Sequence, residues 1–172
     1  MIRKEFGILP DGTQTYLYTI RCGKLSATIT DYGAHLVSLF IPDRQGNLAD
    51  VVLGYDDANG YRTGNGGFLG AIVGRNANRV RNATFMMGDI RIRMRPNENE
   101  HNLHSGPNVF YKRMWDVIRL GENFITLRLL SPQGDQGFPG SVRIDVTYRL
   151  DSDNGLHIVY EGLSDNWIPG IA

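Results

Sequence analysis

Cysteine is almost absent from this chain, with one residue, Cys22, among 172. A lone thiol excludes an internal disulfide and cannot make a thiolate metal site by itself, so Cys22 reads as a free structural thiol at a strand end. Excess charge is missing too. Lys+Arg and Asp+Glu both number 18, the formal net charge is zero and the pI is near 6.9, which removes the bulk basicity of a nucleic-acid binder. No apolar run approaches the ~20 residues a bilayer-spanning helix needs. The opening "MIRKEFGILPDGTQ" lacks an apolar core of signal-peptide length, so the expectation is a cytoplasmic protein with no membrane contact. Helical periodicity is also lacking, since no window of a dozen residues carries a convincing apolar stripe. A chain of 172 residues can bury a substantial core yet is short for two domains, so residues 1–172 are expected to form one unit with no second domain.

Short alternating runs fill the chain instead. "TYLYTIRCG" and "KLSATITDYG" are separated by a Cys-Gly turn signal, which predicts a hairpin. "AHLVSLFIPDRQGN" is a strand stopped by a Pro-Asp…Gly-Asn turn. In "DIRIRMRP", Ile90, Ile92 and Met94 point one way and Arg91, Arg93 and Arg95 the other, predicting a half-buried strand with a wet arginine face. "NFITLRLLSP", "GSVRIDVTYRLD" and "NGLHIVYEGLSD" are further strands bounded by turn residues. Roughly eight to ten strands point to an all-β fold, an antiparallel β-sandwich. Two segments refuse the pattern: Gly54 to Val80, dense in glycine and asparagine, and the loop Pro96 to Tyr111. Irregular segments this long in a compact β domain tend to be functional.

The second of these holds "PNENEHNLHSGPN", with His101 and His104. A metal site there would draw on Glu98 and Glu100, but no His-Glu-x-x-His helix, second histidine pair or cysteine cluster completes it, and no metal or other cofactor is expected. Ser105 follows His104 without a Gly-x-Ser-x-Gly elbow. "GNGG" at Gly64 to Gly67 lacks the Lys-Ser/Thr continuation of a phosphate-cradling loop. The arginine strand carries no aromatic stacking motif, so no nucleic-acid partner is expected. What remains is polar: Asn78, Arg79 and His104, with His101 and Asp135 as further candidates. Guanidinium donors, a carboxamide and an imidazole suit the hydroxyls of a neutral sugar. Spacing alone does not select that option over loop side chains that tie down backbone.

At these residues the sequence resembles the aldose 1-epimerase (mutarotase) family. "GRNANRV", Gly74 to Val80, is similar to the family's Gly-Arg-x-Ala-Asn-Arg-Ile. "NLHSG", Asn102 to Gly106, is similar to Leu-His-Gly-Gly and is followed by Lys112 and Trp115 as in Lys-x-x-Trp. "SPQGDQGFPGSVRIDVTYRL", Ser131 to Leu150, resembles Ser-Pro-x-Gly-x-x-Gly-[Phe/Tyr]-Pro-Gly and the strand after it. "DVVLGYDDANGY" and "DYGAHLVSLFIPDRQGN" agree more weakly. These stretches keep the family's order across nearly the whole chain. Ser105 departs from the family's first glycine after the histidine, Val109 from glycine and Tyr111 from a frequent aspartate, and all three bear on loop shape.

The resemblance implies a galactose mutarotase-like supersandwich, here its N-terminal portion and incomplete at the C-terminus. It implies an activity that interconverts the α and β anomers of a hexose such as glucose or galactose by acid/base ring opening. Asn78 and Arg79 would be substrate-binding residues and His104 the catalytic imidazole near the ring oxygen. The family's acid histidine lies in a Thr-Asn-His-x-Tyr-Phe-Asn segment and its base is a later glutamate. Neither has a counterpart here, so the expectation is a chain with crippled activity when alone. An aldose is the expected small-molecule partner. A complementary C-terminal half, or a second copy meeting an exposed sheet edge, is the expected macromolecular one. The alternative is a non-catalytic sugar-binding or regulatory domain on the same scaffold.

Overall fold

Alternation along the longer runs becomes two facing sheets. The computed structural model describes residues 2–64 and 67–165; the middle of the Gly64–Gly67 stretch and the segment from 166 onward lie outside it. The first sheet is a meander of five antiparallel strands in chain order, β1 (Ile2–Ile8), β2 (Gln14–Cys22), β3 (Leu25–Thr30), β4 (Leu36–Pro42) and β5 (Leu48–Asp50). A six-residue helix, α1 (Ala58–Thr63), follows, with Asp57 accepting the Gly60 N–H at its N-cap. Two short ribbons come next. β6 (Arg79–Val80) pairs with β9 (Asn102–Leu103), and β7 (Thr84–Met87) pairs with β8 (Ile90–Arg93). The second sheet is another antiparallel meander, β10 (Asp116–Leu120), β11 (Phe124–Ser131), β12 (Val142–Leu150) and β13 (Leu156–Ser164).

The inward faces are those the period of two selects. Tyr18 and Ile20 of β2 and Leu25, Ala27 and Ile29 of β3 meet Ile125, Leu127 and Leu129 of β11 and Val146, Tyr148 and Leu150 of β12 in one buried cluster. This is the expected all-β antiparallel sandwich. Tyr148 crosses the core and donates its hydroxyl proton to the Ala34 carbonyl at 2.8 Å. Its burial pushes the phenol far above its ordinary range, so it remains a donor. The Cys-Gly turn does close the β2–β3 hairpin, with Gly23 at φ 57.

Three expectations are corrected. Thirteen strands are present among the described residues rather than eight to ten, because pairs as short as β6–β9 show no alternation to read. The Gly54–Val80 segment contains α1, too short to register as a helical stripe. In the arginine strand, Ile92 and Met94 are buried with Ala83, Met87 and Phe138, but Ile90 is 60% exposed at the hairpin tip, so only part of its apolar face is covered. No helix among the described residues is long and apolar enough to cross a membrane.

Candidate sugar-binding site

The two-residue ladder of β6 and β9 joins the two irregular segments, with Arg79 opposite Leu103 and Val80 opposite Asn102. That pairing puts Asn78 beside His104. The Asn78 N–H donates to His104 Nδ1 at 3.0 Å, and the His104 N–H donates to the Asn78 carbonyl at 3.0 Å. Both residues, and Ser105, have left-handed backbone, with φ of 63, 54 and 59°. Asparagine and histidine are among the residues that best tolerate this region. Ser105, at the family's glycine position, is fully buried; its hydroxyl accepts the Asn76 N–H at 2.9 Å and bonds the Asn76 carboxamide oxygen. Asn97 clasps Leu103 through both its amide groups, at 2.7 and 2.9 Å.

Because Nδ1 accepts a backbone N–H, the neutral imidazole of His104 must carry its proton on Nε2. Burial, and then the Arg79 charge, hold its pKa below the ordinary histidine value, with Glu98 opposing. The ring is thus a neutral Nε2–H donor at neutral pH. Beside it, Arg79 gives its Nε–H and one Nη2–H to Glu98 at 2.5 and 2.7 Å. This pair raises the Arg79 pKa and lowers that of Glu98. The Asn78 carboxamide is exposed and makes no hydrogen bond among the described residues. Phe68 completes the surface. Its ring stands edge-on to His104 at 4.5 Å and to Tyr111 at 5.4 Å between centroids, and 46% of the residue is exposed.

A buried imidazole braces these aromatics from behind. The two ring nitrogens of His35 lie 2.9 Å from the carbonyls of Leu69 and Tyr111, the neighbours of the exposed ring and one of its partners. Burial lowers the His35 pKa against the pull of both carbonyls. Nothing periodic in the sequence marks His35 or Phe68. Their roles come from contacts between distant loops.

The structure thus brings Asn78, Arg79 and His104 together and separates them from the other candidates. His101 is not an idle surface residue: its Nδ1 accepts the Asn82 N–H at 3.1 Å and ties down the turn after β6. Asp135 is structural. Burial would raise its pKa, but Arg113, Ser131 and Asn108 outweigh burial and lower it. Its carboxylate is 2.7 Å from Arg113 Nη1, with only 5% of the side chain exposed. Among the described residues, no group of three or more His, Cys, Asp or Glu is arranged to hold a metal ion.

Residues 16–170 match the sequence model described as aldose 1-epimerase. The chain is 34% identical over 170 residues to the aldose 1-epimerase of Escherichia coli K12, covering 98% of this chain and 49% of that protein. It is 40% identical over 157 residues to the aldose 1-epimerase of Haemophilus influenzae, covering 91% and 45%. In three dimensions it superposes on a solved GalM/aldose epimerase homologue from C. elegans with a TM-score of 0.82 at 34% identity, covering 88% of this chain and 46% of that one. The chain spans about half the length of the curated relatives it matches.

Proposed function

From the premise that the chain belongs to the aldose 1-epimerase family, we propose that Asn78, Arg79 and His104 bind an aldose and serve the interconversion of its α and β anomers. The observation that carries this is the fixed tautomer of His104. A neutral Nε2–H, oriented by the Asn78 backbone, is a donor suited to a ring or anomeric oxygen. The free carboxamide of Asn78 and the remaining guanidinium protons of Arg79 supply further bonds to hydroxyls. Mutarotation delivers a proton to the ring oxygen while one leaves the anomeric hydroxyl, then reverses after rotation about C1–C2. That takes an acid and a base on opposite sides of C1. The residues of this site offer neither pair member: His104 orients the sugar and stabilises charge on the ring oxygen. On the resemblance, we propose that the family's acid histidine and base glutamate have no counterpart in this chain. Each such group is worth ~10²–10⁴-fold in rate, so the chain alone is proposed to bind sugar and turn it over at the spontaneous rate.

Titration of the ¹⁵N-labelled chain with D-galactose and D-glucose tests this. Shifts are expected at Asn78, Arg79 and His104, with affinity falling about tenfold in His104→Ala, the scale of one lost hydrogen bond. Polarimetry on fresh α-D-glucose should show no acceleration. Mutarotation that is catalysed by the chain and lost in His104→Ala would show that the acid and base are present after all, and a chain blind to both sugars would remove the binding role.

We further propose that the chain associates through β13. This nine-residue strand pairs with β12 along its length, and among the described residues no strand pairs with its other edge. Val159, Tyr160 and Leu163 on it are about half exposed, and the groove between it and the Ile72–Ala77 segment holds about 380 Å³. A long apolar edge of this kind is a template for another strand. Light scattering is expected to find dimers or larger species, and Val159→Lys to return the chain to monomer. A wild-type chain that is monomeric at all concentrations would refute the association.

A further inference from the structure

The carboxylate that faces Arg79 belongs to none of the matched motifs. Glu98 takes two of the five guanidinium protons in a side-on, two-bond contact. It leaves the Nη1 protons and the second Nη2 proton for a ligand. The carboxylate is also firmly mounted. The Glu98 N–H donates to the His101 carbonyl at 3.2 Å and the His101 N–H returns to the Glu98 carbonyl at 2.9 Å. His101 is itself tied to Asn82, and Asn97, one residue earlier, clasps Leu103. The turn that presents Glu98 is therefore anchored to the same β6–β9 ladder that presents Arg79. An exposed ion pair adds little to fold stability, so this anchoring has its consequence at the site. There it fixes the direction of the guanidinium and cancels its charge.

We infer that Glu98 positions Arg79 for a neutral hydroxylated ligand and makes the site reject anions, an inference whose positioning half rests on the sugar reading above. A phosphate or sugar phosphate meets a guanidinium whose side-on edge is taken and whose charge is cancelled by a carboxylate that itself repels the anion. Removing that charge leaves an uncompensated guanidinium whose free Nη1 and Nη2 protons can take phosphate in a bidentate contact. The conservative change Glu98→Asp keeps the charge but carries it on a shorter arm that cannot span both nitrogens.

The test follows the Arg79 Nε–H resonance in the ¹⁵N-labelled chain, with inorganic phosphate and D-galactose as probes. Glu98→Gln is expected to bind phosphate at least tenfold more tightly than wild type, in a salt-weakened manner, and galactose several-fold more weakly. Glu98→Asp should recover phosphate rejection without recovering galactose affinity, which separates charge from positioning. If Glu98→Gln leaves both affinities within about twofold while wild type binds galactose, the inference fails and the sugar reading stands. If wild type ignores galactose but phosphate behaves as described, the sugar reading and the positioning role fail and the charge role is upheld.

Discussion

Arg75→Ala is expected to destabilise the chain by about 3–5 kcal/mol, a large share of the ~5–15 kcal/mol that holds a domain of this size. Arg75 lies inside the Gly74–Val80 motif but points away from the site. Its guanidinium donates to the Ser131 hydroxyl at 2.8 Å and to the carbonyls of Ser131, Pro132, Gly140 and Pro139 at 2.9, 2.9, 3.0 and 3.2 Å. Its N–H donates to Gln136 Oε1 at 3.1 Å, and its guanidinium carbon lies 5.5 Å from the centre of the Phe138 ring. One side chain thus closes the Ser131–Gly140 loop against the segment that carries Asn78 and Arg79. Hydrogen bonds to a charged donor contribute about 1.5–3 kcal/mol each and do not add fully, and the stranded carbonyls bring a desolvation cost of their own. Urea unfolding measures the loss as a lower midpoint at unchanged slope. Arg75→Lys should recover only part of it, because a compact ammonium cannot reach acceptors spread around a planar fork. A loss below about 1 kcal/mol for Arg75→Ala would mean that water replaces the guanidinium at these carbonyls.

This division of labour within one motif explains what is legible in the sequence. Strands β2, β3, β11 and β12 are readable because their alternate residues end on one buried face, and period two is a local property. β1 is not, since Ile2 through Glu5 are all exposed and burial imposes no pattern on them. Asn78, Arg79 and His104 can be named together only through motifs, for nothing in their spacing shows that a two-residue ladder will make them neighbours. Arg75 and Arg79 look alike in "GRNANRV", yet one is spent on carbonyls and the other faces solvent. Asp135 and His101 read as polar candidates, and partners from other loops turn both into structural ties. Glu98 reads only as a carboxylate for a metal site that nothing completes, and His35 carries no signal at all. The His35 bond to the Tyr111 carbonyl spans 76 positions, and contacts of that range are settled by the assembled sandwich rather than by any window of sequence.

Gly33→Ala is the second large loss expected, about 2–5 kcal/mol, and unlike Arg75→Ala it should reach the ligand directly. Gly33 sits in the turn between β3 and β4 at φ 74°, a left-handed conformation that costs a residue with a Cβ about 1–2 kcal/mol. Its N–H donates to the Arg113 carbonyl at 2.7 Å, so the turn cannot simply swing away. A Cβ there would lie 2.2 Å from the Tyr111 carbonyl oxygen and 2.5 Å from both Cδ2 and Nε2 of His35. It would intrude on the bond that His35 makes with Tyr111, and relieving such overlap in packed structure costs roughly 1–3 kcal/mol more. Gly12→Ala supplies the control. Gly12 has φ 86° with nothing within 4 Å of the added carbon, so it reports the backbone cost alone. The difference between the two variants in urea unfolding isolates the clash, and equal losses would show that none exists. Tyr111 packs on Phe68, and Phe68 in turn packs on His104. Displacing the Tyr111 backbone should therefore weaken galactose binding in the folded Gly33→Ala chain, whereas Gly12→Ala, at the β1–β2 turn, should bind as wild type does.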